Sequence, residues 1–287
     1  MKKKLKEKLS FLIFVIMIIL GIAIILYPVI SNHLSKINYQ EIIDNYDFKV
    51  AKQKNSYNEQ LVNEARKYNS SLTSLNITDV FQNQIGQSSS EYFSVLNVDN
   101  NGMMGYISIP KIDIKIPIYH GTSSDILQKG VGHLEGSSIP IGGENTHAVL
   151  SAHRGLPSSR LFTDLDQLKV GDTFYIHILD EVLAYRVNQV LVVEPSDIDF
   201  LQIVKGKDYV TLVTCTPYAI NTHRLLVRGE RIEYSAQEEE SIAINKKMSI
   251  ADIVLYTCLI FAVLLIIGSI ISITHYQKRK VIDKNIK

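Results

Sequence analysis

Two uncharged apolar runs, each long enough to cross a lipid bilayer, lie near the two ends of the 287-residue chain. The first covers residues 11–30, and the second covers residues 253–273 within a predicted helix over 251–273. About 20 apolar helical residues span the hydrocarbon core of a bilayer, so both runs predict membrane-spanning helices. The first run is longer than the apolar core of a signal peptide, and no small-x-small cleavage site follows it, which favours an uncleaved anchor over a signal peptide.

Basic residues flank both apolar runs on the sides that face the chain termini. Residues 1–10 carry five lysines, and residues 274–287 carry four lysines and one arginine. Basic segments stay on the cytoplasmic side of a membrane. The sequence therefore predicts a cell-membrane protein with two spans, cytoplasmic termini, and residues from about 31 to 250 outside the cell.

The first part of the external region has a helical pattern. Apolar residues repeat on one helical face and are separated by charged residues, which predicts an amphipathic helical stalk over residues 31–70. The repeating positions are Ile42, Tyr46, Val50, Leu61, Ala65 and Tyr68. Residues 71–104 are rich in Ser, Asn, Gln and Gly, which is typical of a linker.

From Gly105 the pattern changes to short runs of β-branched and aromatic residues that are separated by turns. Seven runs are clear, and VGHLEGS is a weaker eighth candidate; the clear ones are YISIPKI, IKIPIYHG, THAVLSAHR, DTFYIHIL, EVLAYRVNQVLVVEP, DYVTLVTCT and HRLLVRGERIEY. Many short strands in about 130 residues favour a closed barrel or a sandwich, because closure removes unpaired strand edges. The predicted fold is mainly β over residues 105–234, with short helices between strands and a linker over 235–250.

Composition and charge exclude one class of partner. The net charge is +1 and 46% of the residues are hydrophobic. Binding to a nucleic-acid backbone needs a surplus of basic residues, so the chain is not expected to bind nucleic acid. No pattern in the sequence points to a metal or a cofactor.

The two cysteines lie in different environments. Cys258 falls inside the second apolar run, where it is interpreted as a helix-packing or lipid-facing residue. Cys215 is alone in the external region and has no partner there for an intramolecular disulfide. A lone external thiol suggests either an intermolecular bridge or a reactive cysteine, while a buried, inert strand residue is the alternative.

Cys215 lies close to the end of its predicted strand, because Pro217 cannot donate a ladder hydrogen bond. His153 ends another apolar strand and would lie at a similar rim position. Arg224 opens the strand after the cysteine and would lie near Cys215 if the two strands pair antiparallel. His223 is a less suitable base because it is so near Arg224. Other candidate cations are Arg154, Arg160, Arg228 and Arg231.

The segment TLVTCTPYAINTHRLLVRGER, residues 211–231, resembles the active-site segment of sortases, the membrane-anchored cysteine transpeptidases of Gram-positive bacteria. SAHRG at residues 151–155 is similar to the histidine segment of that family. CTPY-x-x-NTHRLLVRG and a second, C-terminal span resemble the pilus-assembling class, class C. The resemblance covers residues 105–234 and implies an eight-stranded sortase-type barrel.

The resemblance also implies a reaction. Cys215 would attack the Thr–Gly carbonyl of an LPxTG-type sorting signal and form a thioacyl-enzyme. His153 would protonate the departing amine and deprotonate the incoming one, and Arg224 would stabilise the oxyanion or hold the substrate. The implied partners are pilins or other surface proteins with sorting signals, and the implied acceptor is a pilin lysine or a cell-wall peptide amine. No metal or cofactor is implied.

ITDVF at residues 77–81 resembles the lid of class C members, which is built around Asp-Pro-aromatic. Asp79 and Phe81 match this pattern, and Val80 stands where proline is usual. The resemblance implies that Asp79 and Phe81 are lid residues; the alternative is that Thr78 or Asp79 caps a short helix.

Three other functions remain open from the sequence. A housekeeping sortase would use the same three residues with a peptidoglycan amine as the acceptor. An L,D-transpeptidase or a secreted thiol peptidase also needs Cys and His, but TLVTC followed by a strand arginine fits these enzymes less well. A non-enzymatic external β-domain for sensing or adhesion would leave Cys215 buried and inert.

Overall fold

The computed structural model describes residues 2–72, 79, 81, 90–98 and 100–244, together with residues 253, 256–257, 259–264, 266 and 268. The chain divides into two compact units. One unit comprises Met1–Ile30 and Lys247–Lys287, and the other is Ser31–Lys246. All the candidate site residues belong to the second unit.

The predicted N-terminal span is helical. Helix α1 covers Lys2–Lys52. One helix among the described residues, Ile16–Lys52, is long and apolar enough to cross a membrane by its length and composition. Much of the second predicted span, including Cys258, lies outside the described residues, so that span stays a prediction.

The predicted helical stalk consists of two helices. Helix α1 ends at Lys52, and α2 covers Asn55–Ser71 after a break in which Lys54 is extended. The buried face of α1 consists of Tyr39, Ile43, Tyr46 and Val50. The sequence pattern placed Ile42 on this face, but Ile42 is only partly buried at its edge.

Eight strands form a closed barrel in the order β1-β2-β3-β4-β7-β8-β6-β5, which confirms the predicted barrel. The strands are β1 (Met103–Ile109), β2 (Ile114–His120), β3 (Val131–His133), β4 (Thr146–Ser151), β5 (Thr173–Ile178), β6 (Glu181–Val193), β7 (Asp208–Thr216) and β8 (His223–Ile232). Short helices connect or follow them: α3 (Ser90–Ser94), α4 (Ser124–Lys129), α5 (Ala236–Ile244), and 3₁₀ turns at Pro110–Ile112, Leu165–Gln167 and Asp199–Leu201.

Two pairings position the candidate site. Strand β4 runs parallel to β7, and its last residue, Ser151, is in register with Val213. Strand β7 runs antiparallel to β8 as far as the pair Thr216 and His223. The C-terminal ends of β4 and β7 therefore meet the beginning of β8 at one rim of the barrel.

The two faces of these strands pack into different apolar clusters. Val210 and Leu212 of β7 belong to the large core of the barrel. Val213 belongs to a smaller cluster with Val149 of β4 and Leu226 of β8. Because strand side chains alternate between faces, Cys215 lies on the same face as Val213. The thiol is thus at the rim, on the face opposite the main core.

Tyr46 joins helix α1 to the barrel by two buried hydrogen bonds. Its hydroxyl donates to the Met104 carbonyl oxygen at 2.9 Å and accepts from the Leu179 N–H at 2.8 Å. Tyr46 is 4% exposed, so both backbone groups depend on this hydroxyl instead of water.

We expect Tyr46→Phe to lower the free energy of unfolding by about 1–3 kcal/mol, because it leaves a buried donor and a buried acceptor unpaired. Thermal unfolding of the purified chain measures the change. Tyr57→Phe on α2 is the matched control, since Tyr57 is 44% exposed and should change stability little. Equal stability of the two variants would contradict the anchoring role of Tyr46.

Candidate active site

Cys215 is the penultimate residue of β7 and is paired directly with Arg224 of β8. It is a free thiol and is only half-buried, so a reagent or a substrate can approach it. The fully buried cysteine considered from the sequence is therefore not what the structure shows.

His153 lies two residues beyond Ser151, the last residue of β4. Ser151 is in register with Val213 of β7, and Cys215 lies two residues beyond Val213. The segment between them continues the strand: the Ala152 N–H donates to the Val213 carbonyl at 3.2 Å, and the Thr214 hydroxyl donates to the Ala152 carbonyl at 2.8 Å. Residues two apart along a strand point to the same face of the sheet. The imidazole and the thiol therefore project from the same face of neighbouring strands.

Arg224 is the second residue of β8 and is 8% exposed. Its guanidinium makes a two-pronged ion pair with Asp79, in which Nε donates to Oδ1 at 3.0 Å and Nη2 donates to Oδ2 at 2.6 Å. Nη1 donates to the carbonyl oxygens of Asn221 and His223 at 3.2 and 3.1 Å. All three nitrogens of the guanidinium are thus engaged within the protein.

Asp79 and Phe81 both lie over the site. Asp79 is 2% exposed, and its Oδ1 accepts a hydrogen bond from the Phe81 N–H at 3.2 Å. The Phe81 ring stacks on His153 with a centroid separation of 6.1 Å, and the Arg224 Cζ lies 5.1 Å from the ring centroid. The two residues that the sequence suggested for a lid therefore contact Arg224 and His153. Val80 lies outside the described residues.

The electrostatics of this arrangement oppose ionisation of the thiol. Burial raises the pKa of Cys215, the charge of Arg224 lowers it, and the charge of Asp79 raises it, with a net increase. Burial lowers the pKa of His153. Burial also disfavours the charged form of Arg224, but hydrogen bonds with Asp79 and attraction to Cys215 and Asp79 raise its pKa overall. Both the thiolate and the imidazolium are therefore disfavoured in this state.

The other candidate cations contact different parts of the barrel. Arg160 pairs with Asp164 at 2.8 Å, Arg228 lies over the Tyr209 ring at 4.3 Å, and Arg231 lies over the Tyr185 ring at 5.6 Å. His223 contacts Glu194 at 3.2 Å. Arg154 differs from these residues, since its Nη1 donates to the Thr216 hydroxyl at 3.0 Å, beside Cys215. Sequence analysis did not distinguish Arg154 from the other candidate cations, although it directly follows His153.

A thiol, an imidazole and a guanidinium on adjacent strand ends provide the groups that thiol-based acyl transfer requires. The thiolate is the nucleophile, the imidazole can move protons, and the guanidinium can donate to an oxyanion. Within the part of the chain that the structure describes, no group of three or more His, Cys, Asp or Glu residues is placed to hold a metal ion.

The comparisons with known proteins agree with this description. The sortase domain family model matches residues 107–232. Sortase A of Streptococcus agalactiae serotype III is 33% identical over 156 residues, which are 52% of this chain and 62% of that protein. The chain thus matches less than two thirds of the length of this curated relative.

Solved structures of sortase C proteins match more completely. Streptococcus pneumoniae Sortase C is 50% identical with a TM-score of 0.64, over 68% of this chain and 98% of that one. Streptococcus agalactiae sortase C1 is 52% identical with a TM-score of 0.62, over 68% of this chain and 100% of that one. The chain belongs to the sortase family of cysteine transpeptidases, and these structural relatives are of class C.

We expect Asp79→Asn to move the alkylation of Cys215 to lower pH. The negative charge of Asp79 raises the pKa of Cys215, so its removal lowers that pKa and increases the thiolate fraction at any pH below it. Near neutral pH the rate should rise by up to about tenfold, the change that one pKa unit brings. The measurement is the pH profile of iodoacetamide labelling of Cys215, followed by mass spectrometry of its peptide.

Asp113→Asn is the matched control, because Asp113 is a carboxylate in an ion pair with Lys36, 46% exposed. This variant should keep the parent profile. If Asp79→Asn also keeps it, Asp79 does not hold the thiol in its neutral form.

Proposed function

We propose that the chain is a membrane-anchored transpeptidase that cleaves an LPxTG-type sorting signal between Thr and Gly and transfers the acyl group to an amine, usually a pilin lysine, during pilus assembly. The observation that carries this proposal is the direct pairing of Cys215 with Arg224, together with Phe81, whose ring contacts both Arg224 and His153. The likeness to Streptococcus pneumoniae Sortase C, a structure described in terms of pilin substrate specificity, supports the choice of substrate.

In the first half of the proposed reaction, the Cys215 thiolate attacks the carbonyl carbon of the threonine in the sorting signal. The carbonyl electrons move to oxygen, and the guanidinium of Arg224 donates hydrogen bonds to the resulting oxyanion. The oxyanion collapses and the C–N bond to glycine breaks. The imidazolium of His153 gives its proton to the departing amine, and a thioester remains on Cys215.

In the second half, an acceptor amine attacks the thioester. His153, now neutral, takes a proton from the attacking nitrogen as the new C–N bond forms. Cleavage of the C–S bond returns Cys215 to the thiolate, and the products are an isopeptide bond and the starting enzyme. With ordinary pKa values the thiolate and the imidazolium would coexist in only about 1% of molecules at pH 7. The burial-induced shifts of both groups make that fraction smaller in the covered state.

In this proposal, Asp79 and Phe81 act as a lid. The two-pronged ion pair with Asp79 occupies the Nε and Nη2 donors of Arg224, so these donors become available to a substrate only when Asp79 leaves. The ring of Phe81 stacks on His153 and covers one face of the imidazole. A covered site suits an enzyme that must pass its acyl group to an amine while excluding hydrolysis.

The housekeeping function, attachment of surface proteins to peptidoglycan, is less well supported than pilus assembly. Identity to the Sortase A of Streptococcus agalactiae is 33%, against 50% to the Sortase C of Streptococcus pneumoniae. The contacts of Asp79 with Arg224 and of Phe81 with His153 also favour the class that carries a lid.

We expect Cys215→Ala to abolish pilin polymerisation while the domain stays folded, because no other group at this position can form the thioester. Immunoblots of a pilus-bearing host should lose the high-molecular-weight pilin ladder. Cys258→Ala is the matched control, since it removes the other cysteine of the chain and should leave the ladder intact. A ladder that persists in Cys215→Ala would refute the proposed mechanism.

We further propose the domain order predicted from the sequence. Residues 1–10 and 274–287 are cytoplasmic segments, 11–30 and 251–273 are spans, 31–70 is the stalk, 71–104 is the linker with the lid, 105–234 is the catalytic barrel and 235–250 is the second linker. The apolar helix Ile16–Lys52 supports the first span, and the charges of the C-terminal tail support the second.

Alkaline phosphatase fusions test this topology, because the enzyme is active only outside the cytoplasm. A fusion after residue 244 should be active, and a fusion after residue 287 should be inactive. Activity at both positions would show that the chain crosses the membrane only once.

A further inference from the structure

Arg154 connects the two segments that carry the proposed base and nucleophile. It directly follows His153, and its Nη1 donates a hydrogen bond to the hydroxyl of Thr216 at 3.0 Å. Thr216 directly follows Cys215 and is the last residue of β7. One side chain therefore bridges the residue after the imidazole and the residue after the thiol.

This bridge begins where the backbone ladder stops. The register between β4 and β7 ends at the pair Ser151 and Val213, and the last backbone bond of this pairing runs from Ala152 to Val213. His153 and Cys215 both lie beyond that bond. A side-chain hydrogen bond at this position can therefore hold the two segments at a fixed separation after the strands cease to do so.

The far side of Arg154 is also fixed. Its Nη2 forms an ion pair with Asp166, which belongs to the 3₁₀ turn Leu165–Gln167. The loop between His153 and this turn is closed by two further bonds, from the Phe162 N–H to the His153 carbonyl at 3.2 Å and from the Gly155 N–H to the Thr163 hydroxyl at 3.0 Å. Arg154 thus links this loop to the end of β7.

We propose that Arg154 is a positioning residue that sets the separation of the His153 imidazole and the Cys215 thiol through its bond to Thr216. The inference rests on the proposed acyl transfer. The Arg154 guanidinium is bound to Thr216 on one side and to Asp166 on the other, so it acts through these neighbours rather than by contact with the substrate. Its Nε is buried without a hydrogen-bond partner among the described residues. A buried donor without a partner lowers the stability of the fold. This cost indicates that the guanidinium stands here for the contacts that its other two nitrogens make.

The test uses Thr216→Val, which removes the accepting hydroxyl and leaves the shape and charge of the site unchanged. We expect kcat for acyl transfer from a sorting-signal peptide to fall about tenfold, because small displacements of reacting groups are costly. KM should stay within about twofold, because Arg154 does not bind the substrate. The rate of Cys215 alkylation at pH 7 should fall, because part of the thiolate at that pH is held beside an imidazolium, and separation of the two groups weakens that ion pair. Thr216→Ser keeps the hydroxyl and should retain the parent kcat and alkylation rate.

A double-mutant cycle adds Arg154→Lys, which keeps the charge but cannot reach Thr216 and Asp166 together in the geometry of a guanidinium. The double variant should lose no more kcat than Arg154→Lys alone, because that variant already lacks the bond that Thr216→Val removes. Arg186→Lys on β6 is the matched control, since Arg186 is half-exposed and paired with Glu238 at 3.6 Å. It should match the parent chain in kcat and in the alkylation rate at pH 7.

Parent values of kcat and of the alkylation rate at pH 7 in Thr216→Val would overturn the inference, as would losses that multiply in the double variant. Thermal unfolding of the full chain checks that each variant is folded. If Arg154→Lys does not fold, Thr216→Val decides alone, because it deletes one hydroxyl from a half-buried side chain. The alkylation rate does not depend on turnover. It therefore tests the role of Arg154 even if Cys215→Ala were to leave pilin polymerisation intact and so refute the proposed function.

Discussion

The parallel pairing of β4 with β7 is the constraint on which the rest of the site depends. Because Ser151 is in register with Val213, the segments that leave the two strands advance in the same direction and reach the same rim. Antiparallel pairing of β7 with β8 then sets Arg224 beside Cys215. A one-residue slip in either ladder would turn one of the functional side chains to the opposite face of the sheet. Closure of the barrel pairs every strand on both edges and so fixes both registers.

The local parts of this arrangement could be predicted from the sequence. Cys215 and Arg224 are nine residues apart in a strand–turn–strand segment, so antiparallel pairing alone predicts their contact. Strand alternation and turn residues also predicted a closed barrel or a sandwich, and the family resemblance chose the barrel, although β3 has only three residues. His153 is different, because periodicity places it at a strand end without indicating which strand lies next to it. The family resemblance, rather than the pattern, paired it with Cys215.

Side-chain contacts between distant segments could not be predicted from the pattern. Asp79 and Arg224 are 145 residues apart, and Arg154 and Thr216 are 62 residues apart. In the sequence, Asp79 lies in a polar linker and Arg154 precedes a loop glycine, so both resemble solvated surface charges. Their burial distinguishes them, since the Asp79 side chain is 2% exposed and that of Arg154 is 9% exposed. Burial depends on what packs over a residue, and the packing partners come from elsewhere in the chain.

In the proposed mechanism, the covered site opposes its own chemistry. Burial raises the pKa of Cys215 and lowers that of His153, and the charge of Asp79 adds to the first shift. The same carboxylate occupies two of the Arg224 donors. Withdrawal of Asp79 and Phe81 would rehydrate the thiol and the imidazole, remove the anion and free the guanidinium. One movement thus favours the reactive ion pair and the oxyanion contact together. Coupling of that movement to peptide entry would restrict the reactive state to molecules that already hold an acyl donor.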